Sequence, residues 1–249
     1  MIEIKNIEKK FGNNHVLKNV SFIFERGKTN LIIGESGSGK TTLIKILLGL
    51  HKIDSGIVMF DGVDFNAIKT KKQRLLRQEI GMLFQGGGLF DYMSVEENIM
   101  FPLNMFTKKT EIEKLERVNF CLKRVKLEGK NGLMPSELSG GMTKRVAIAR
   151  AIVMQPKYLL CDEPNSGLDP KTAIIIDNLI QEITKEYNIT TIVNTHDMNS
   201  VMEIGEKITF INKGEIWWKG NKDELLNSNN KELNDFVFAS ELFKRLKKG

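Results

Sequence analysis

Nine residues, Gly34 to Thr42, read GESGSGKTT, between an apolar run (NLIIG, 30–34) and a helical pattern (TLIKILLGL, 42–50). The pattern is G-x-x-x-x-G-K-[ST], and a strand before it with a helix after it is the context in which it binds phosphate. Gly34, Gly37 and Gly39 let the backbone curl so that successive N–H groups, with those of Glu35, Ser36, Ser38 and Thr42, turn inward on phosphate oxygens. The helix start adds unpaired N–H groups and the positive end of its dipole. Lys40 is placed for the β- and γ-phosphates and the Thr41 hydroxyl for Mg²⁺. A second run, YLLCDEP (158–164), is apolar and ends in two carboxylates. A buried parallel strand delivers such residues to the carboxyl edge of a sheet, where ligand sites of α/β folds lie. Asp162 is then a Mg²⁺ ligand through water, and Glu163 a general base for an attacking water. A third run, ELSGGMTKRVAIARA (137–151), opens a long helix at Ser139, Gly140 and Gly141, a second helix start suited to an anion.

These residues need a sheet to hold them. Strand-like runs occur at 20–24, 30–34, 57–60, 80–85, 158–162, 190–196 and 207–212, alternating with helical patterns, as in a largely parallel α/β domain. Between about Ser94 and Met154 the rhythm breaks into helix alone, which reads as a helical insert. Pro102 is expected to end or kink the first of its helices. The expected division is a core of 1–92 and 156–222, an insert of 93–155 and a helical tail of 223–249.

Composition restricts the setting. The 249 residues are 41% hydrophobic and 27% charged, ordinary values for a globular chain, and the net charge of +6 fits an anionic partner without choosing one. Cys121 and Cys161 form no C-x-x-C pair, which points to a reducing compartment rather than to disulfides or zinc. No apolar run approaches the roughly 20 residues of a bilayer span. Work on a membrane would therefore proceed from the cytoplasmic side through a partner.

The motifs together resemble the ATP-binding-cassette ATPases, over about residues 1–220 and in family order. The 137–151 run is similar to their signature, Gln85 to the Q-loop glutamine, Ser166–Asp169 (SGLD) to the D-loop and His196 (NTHDM) to the switch histidine. Phe11 in KKFG stands where an aromatic ring stacks on adenine. The resemblance implies a P-loop NTPase (RecA-like) sheet domain with an antiparallel β subdomain and an inserted α-helical subdomain. It implies ATP and Mg²⁺ as cofactors, Gln85 touching Mg²⁺ or the attacking water, and His196 on the γ-phosphate. It also implies a head-to-tail homodimer, each ATP lying between one copy's phosphate loop and Ser139–Gly141 of the other. Three positions depart: Met142 replaces the signature glutamine, Phe11 a tyrosine, and Asn165 a residue that is commonly threonine. None of these removes a phosphate ligand or the base.

A single cassette without transmembrane helices is expected to energise a separate permease. The run QGGGLFDYM (85–93), with Met142, is similar to the cassettes of Mla-type transporters, which move phospholipid between bacterial membranes. That subgroup implies a periplasmic lipid-binding subunit reached through the permease. An importer of small polar nutrients such as amino acids is the alternative, as is a soluble non-transport ATPase; no nucleic-acid partner is expected. The three glycines are expected to act as a hinge, and Leu89, Phe90, Tyr92 and Met93 to receive a short permease helix. The bland readings concern His15 and His51 as loop surface residues, Trp217 and Trp218 as one inward and one outward strand residue, and the basic tail KRLKKG as a solvated end.

Overall fold

The computed structural model describes residues 1–239. It forms two compact units, one of residues 1–69 with the chain from Thr190 onward, the other of residues 70–189.

The first unit begins with a hairpin of β1 (Ile2–Phe11) and β2 (Asn14–Phe24), extended by β4 (Ser55–Phe60) and β5 (Val63–Asp64) into an antiparallel sheet of order β2-β1-β4-β5. The apolar residues of β1 fall at 2, 4 and 7 rather than 2, 4 and 6. A strand can bury all three only by inserting an extra residue, and the pairing does shift register between Ile4 and Ile7. Asn6, inside the shift, has a φ of 49°, and Ile2, Ile4 and Ile7 are all buried.

Also in this unit, β3 (Thr29–Ile33) lies parallel between β8 (Thr190–Asn194) and β9 (Lys207–Asn212), with β10 (Glu215–Gly220) antiparallel on β9. β3 is buried along its whole length, as a central parallel strand should be. Its polar start is satisfied, since the Asn30 amide donates to the carbonyls of Glu25, Lys28 and Thr191, each at 3.0 Å. α1 (Lys40–Leu47), α7 (Met198–Ile204), α8 (Lys222–Leu226) and α9 (Lys231–Val237) complete the unit.

Two expectations are corrected here. Trp217 and Trp218 do not alternate. The β10–β9 register slips between Ile216 and Trp218, so a bulge breaks the period of two and both indoles are half-buried. His15 is not a loop residue but lies in β2, with its ring against the Glu8 carboxylate. The cross-strand pairing that joins them depends on a hairpin absent from the strands read in the sequence.

The second unit contains α2 (Thr70–Gln78), β6 (Ile80–Leu83), α3 (Val95–Phe106), α4 (Glu111–Arg124), α5 (Gly140–Ile152), β7 (Tyr158–Asp162) and α6 (Pro170–Glu186). Helix starts are coded locally. Ser94 accepts from the Glu97 N–H at 3.2 Å while the Glu97 carboxylate accepts from the Ser94 N–H at 2.7 Å, and Thr110 with Glu113 repeats this box at α4. Such caps are worth about 1 kcal/mol each. The Ser94 N–H also holds the Glu97 carboxyl below its usual range. α3 runs through Pro102 and continues to Phe106, so the proline does not end the helix.

β6 and β7 pair in parallel, Ile80 with Tyr158 through Leu83 with Cys161. α5 packs on β6 closely enough that a Cβ on Gly81 would lie 2.3 Å from the Ala151 carbonyl oxygen. Cys161 is fully buried in β7, and burial pushes its thiol well above the ordinary range. Among the described residues no helix is long and apolar enough to cross a membrane. The basic tail KRLKKG lies outside the described residues.

Candidate nucleotide site

In the first unit the chain leaves buried β3 at Ile33, turns through Gly34–Gly39 and enters α1 at Lys40. Gly39 caps the helix with a φ of 107° and no side-chain hydrogen bond, so the first N–H groups of α1 are not covered by a capping side chain. A Cβ on Gly39 would sit 2.7 Å from Leu17 Cδ2 and 2.9 Å from the Val16 carbonyl oxygen, which makes glycine obligatory there. Lys40 is buried, and its ammonium donates to the carbonyls of Gly34 and Glu35, both at 2.8 Å, across the mouth of the loop. The Ser38 hydroxyl is buried with no hydrogen-bond partner. Asn194, at the end of β8, donates to the Thr41 hydroxyl at 3.4 Å. His196 is two residues beyond β8 and exposed. A glycine-bound cradle, an orphaned hydroxyl and a lysine resting on carbonyls form a donor set that suits phosphate.

Phe11 closes β1 and is 44% exposed. The His51 ring meets its edge, with centroids 5.1 Å apart, and Lys9 Nζ lies 5.0 Å from its centroid. An exposed face is what stacking on a base requires. His51, read as bland, thus braces this ring.

In the second unit Asp162 ends β7 and Glu163 follows it with a φ of 51°, a left-handed conformation unusual for glutamate. Ser139 caps α5, accepting from the Met142 N–H at 3.3 Å. A Cβ on Gly140 would meet Leu168 at 3.3 Å and one on Gly141 would meet Thr172 at 2.6 Å, so the signature start and the SGLD segment lie against each other. Asp169 caps α6, and its hydrogen bond from Thr172 holds its carboxyl below the usual range. Gln85 is exposed and donates to the Ser166 hydroxyl at 3.3 Å. Among the described residues no group of three or more His, Cys, Asp or Glu side chains could hold a metal. A Mg²⁺ ion would therefore take much of its shell from phosphate and water.

The segment 85–93 is less loose than its glycines suggest. Lys144 donates to the Gln85 carbonyl, and Arg150 donates to the Gly87 carbonyl at 2.9 Å. The buried Asn98 side chain accepts from the Phe90 N–H at 2.8 Å and donates to the carbonyls of Phe90 and Met93. Gly87 and Gly88 have φ values of 79° and 62°, the left-handed region that favours glycine, so these glycines shape the turn. Lys144, Arg150 and Asn98 escape motif reading. The available signal is that Lys144 and Arg150 are two of three cations on α5, beside the apolar run VAIA. Leu89, Phe90 and Met93 are half-buried, while Tyr92 is 75% exposed.

A phosphate loop flanked by strand and helix, with an acidic strand end and a serine-capped signature helix, defines an ATP-hydrolysing cassette. The family model for ABC transporters matches residues 17–166, and the chain belongs to that family. It is 40% identical over 243 residues to the methionine import ATP-binding protein MetN of Clostridium tetani, covering 97% of this chain and 76% of that protein. It is 37% identical to the sulfate/thiosulfate import ATP-binding protein CysA 2 of Shewanella oneidensis, covering 95% and 66%. The dimeric cassette MJ0796 bound to ADP and Pi superposes with a TM-score of 0.80 at 34% identity, covering 89% of this chain and 98% of that one. For cbiO1 of Clostridium perfringens, part of the cbiONQ complex, the TM-score is 0.85 at 32% identity, covering 99% and 97%. The fold is that of a P-loop NTPase, and the chain is an ATPase subunit of an ABC transporter that binds ATP with Mg²⁺. The Mla-type resemblance finds no support in MetN and CysA 2, both named as import ATP-binding proteins.

Proposed function

We propose that this chain powers import of a small polar nutrient, such as an amino acid, from the cytoplasmic face of a bacterial inner membrane. The observation that carries this reading is the 40% identity to a methionine import ATPase across 97% of the chain. Residues 1–92 and 156–222 serve as nucleotide-binding core, 93–155 as signature subdomain and 223–249 as tail. The loop from Gly34 to Thr42 holds the phosphates, Phe11 stacks on adenine, and Thr41, Gln85 and Asp162 serve the Mg²⁺ shell. Glu163 takes the proton of the attacking water, and His196 and Lys40 bind the γ-phosphate. The signature Ser139, Gly140 and Gly141 close on the nucleotide of a second copy; the dimeric MJ0796 cassette supports this arrangement. A Mg²⁺ held by Thr41, Gln85 and Asp162 would supply positive charge to the phosphate oxygens.

A phospholipid cargo is the second reading, favoured by the run at 85–93 and by Met142. A deletion strain separates the two. Uptake of labelled methionine, other amino acids or sulfate should fall at least tenfold for one nutrient, with the phospholipid distribution between membranes unchanged. The opposite pattern would overturn the importer reading.

The permease is proposed to dock in a groove of about 260 Å³ in the second unit, walled by Phe84, Phe90, Phe101 and Phe106. Phe90 packs on Phe101 with centroids 4.9 Å apart and on Tyr92 at 5.8 Å. An aromatic anchor of this kind is worth about 2 kcal/mol or more to an interface. Phe90→Glu should leave the isolated chain folded and ATP-binding but abolish co-purification with its permease. A folded variant that still assembles would remove this surface from the role.

A further inference from the structure

Arg150 lies half-buried at the wall of this groove, opposite Phe90, whose ring centroid is 5.8 Å from its guanidinium carbon. Its acceptors are the Gly87 carbonyl at 2.9 Å and the Asn98 side-chain oxygen at 3.4 Å, both neutral. A guanidinium has five N–H donors and stays charged in proteins, so these two contacts leave donors and a full charge unanswered. Among the described residues no carboxylate lies within ion-pair distance of Arg150, a contrast with Arg124, which pairs with Glu182 and Glu186. Burial lowers the Arg150 pKa with no acidic neighbour acting against it. A half-buried cation without a counter-ion is costly, and the cost is removed when an anion arrives with good geometry.

The rest of the groove has the same sign. α2, which contributes Arg77 and Gln78 to the wall, also carries Lys71, Lys72 and Arg74 and has no acidic residue. None of those last three has an ion-pair partner among the described residues. The aromatic walls meanwhile require an apolar occupant.

We propose that Arg150 is a receptor for one carboxylate on the permease's cytoplasmic segment, an amphipathic piece with apolar residues against Phe84, Phe90, Phe101 and Phe106. The inference rests on the docking reading above and adds to it the chemistry of the partner. The carboxylate forms a two-pronged pair with the free edge of the guanidinium. The basic α2 steers the approach, and the pair fixes the register of the docked segment.

Arg150→Lys offers a direct test, because water-soluble carbodiimide joins an amine only to a carboxylate in contact with it. The tagged variant is purified with its permease, treated with carbodiimide and mapped by mass spectrometry. The expected result is one new isopeptide link from position 150 to an Asp or Glu of the permease, absent from the wild-type complex. An intact complex without that link overturns the proposal. If the lysine variant fails to assemble, a double-mutant cycle decides, pairing Arg150→Met with Asp→Asn or Glu→Gln changes along the permease segment. One carboxylate should weaken binding at least tenfold against wild type and hardly at all against Arg150→Met; no such coupling at any position also overturns it. Phe90→Glu separates the two levels. If that variant still binds permease the docking reading fails, whereas loss of binding without link or coupling leaves docking intact and removes only the role of Arg150.

Discussion

Glu163→Gln should bind ATP as the native chain does and turn it over on the order of 10²–10⁴ times more slowly. The substitution keeps the shape and hydrogen-bonding reach of the side chain and removes only its ability to take a proton. Glu163 stands in the left-handed region directly after β7, at a φ of 51°. Non-glycine residues held there cost of order 1–3 kcal/mol, and such strain clusters where position is functional. Glutamine inherits the same backbone, so the variant should melt within a few degrees of the native protein. Because hydrolysis would be what releases the second copy, the variant should also accumulate as an ATP-bound dimer on size-exclusion chromatography. Phosphate release under single-turnover conditions measures the chemical step alone. A rate near the native value would take Glu163 out of the role of base.

The second large effect is expected in mixtures. Lys40→Ala removes the ammonium that rests on the Gly34 and Glu35 carbonyls, and should abolish nucleotide affinity and turnover alike. Ser139→Arg places a long cation at the capping position of α5, whose N–H groups the proposed γ-phosphate must reach, and should be equally inactive. Each defect damages a different half of a shared site. In a mixed dimer one composite site carries both lesions and the other neither. Activity should therefore reappear on mixing, towards the statistical fraction of intact sites. Recovery establishes sharing between copies. Dimers shown by native mass spectrometry to be mixed, yet fully inactive, would reject independent shared sites.

The chemistry of this chain is legible from sequence wherever it is local. A strand, a glycine loop and a helix follow one another from Thr29 to Leu47, and a buried strand ends in its carboxylates at Asp162. Caps at Ser94, Thr110, Ser139 and Asp169 likewise announce helix starts within three residues. Features that need a partner strand or a distant helix are not legible in this way. The Trp217 bulge depends on the register with β9, and the pairing of His15 with Glu8 on a hairpin. The contacts around the glycine run are illegible for a similar reason. Glycines report which backbone angles are open, but the carbonyls of Gln85 and Gly87 are held by side chains about 60 residues away on α5.

That grip on two carbonyls makes α5 a mechanical part. At 1.5 Å per residue, the rod from Ser139 to Arg150 is about 16 Å long, with no proline and no glycine after its first turn. Its amino end is the proposed γ-phosphate contact, and Arg150 near its carboxyl end lines the proposed docking groove. A displacement at either end must therefore arrive at the other with little loss, as in a push-rod without a slack joint. Softening the middle of the rod, rather than altering either end, should uncouple ATP turnover from transport while leaving both binding events in place.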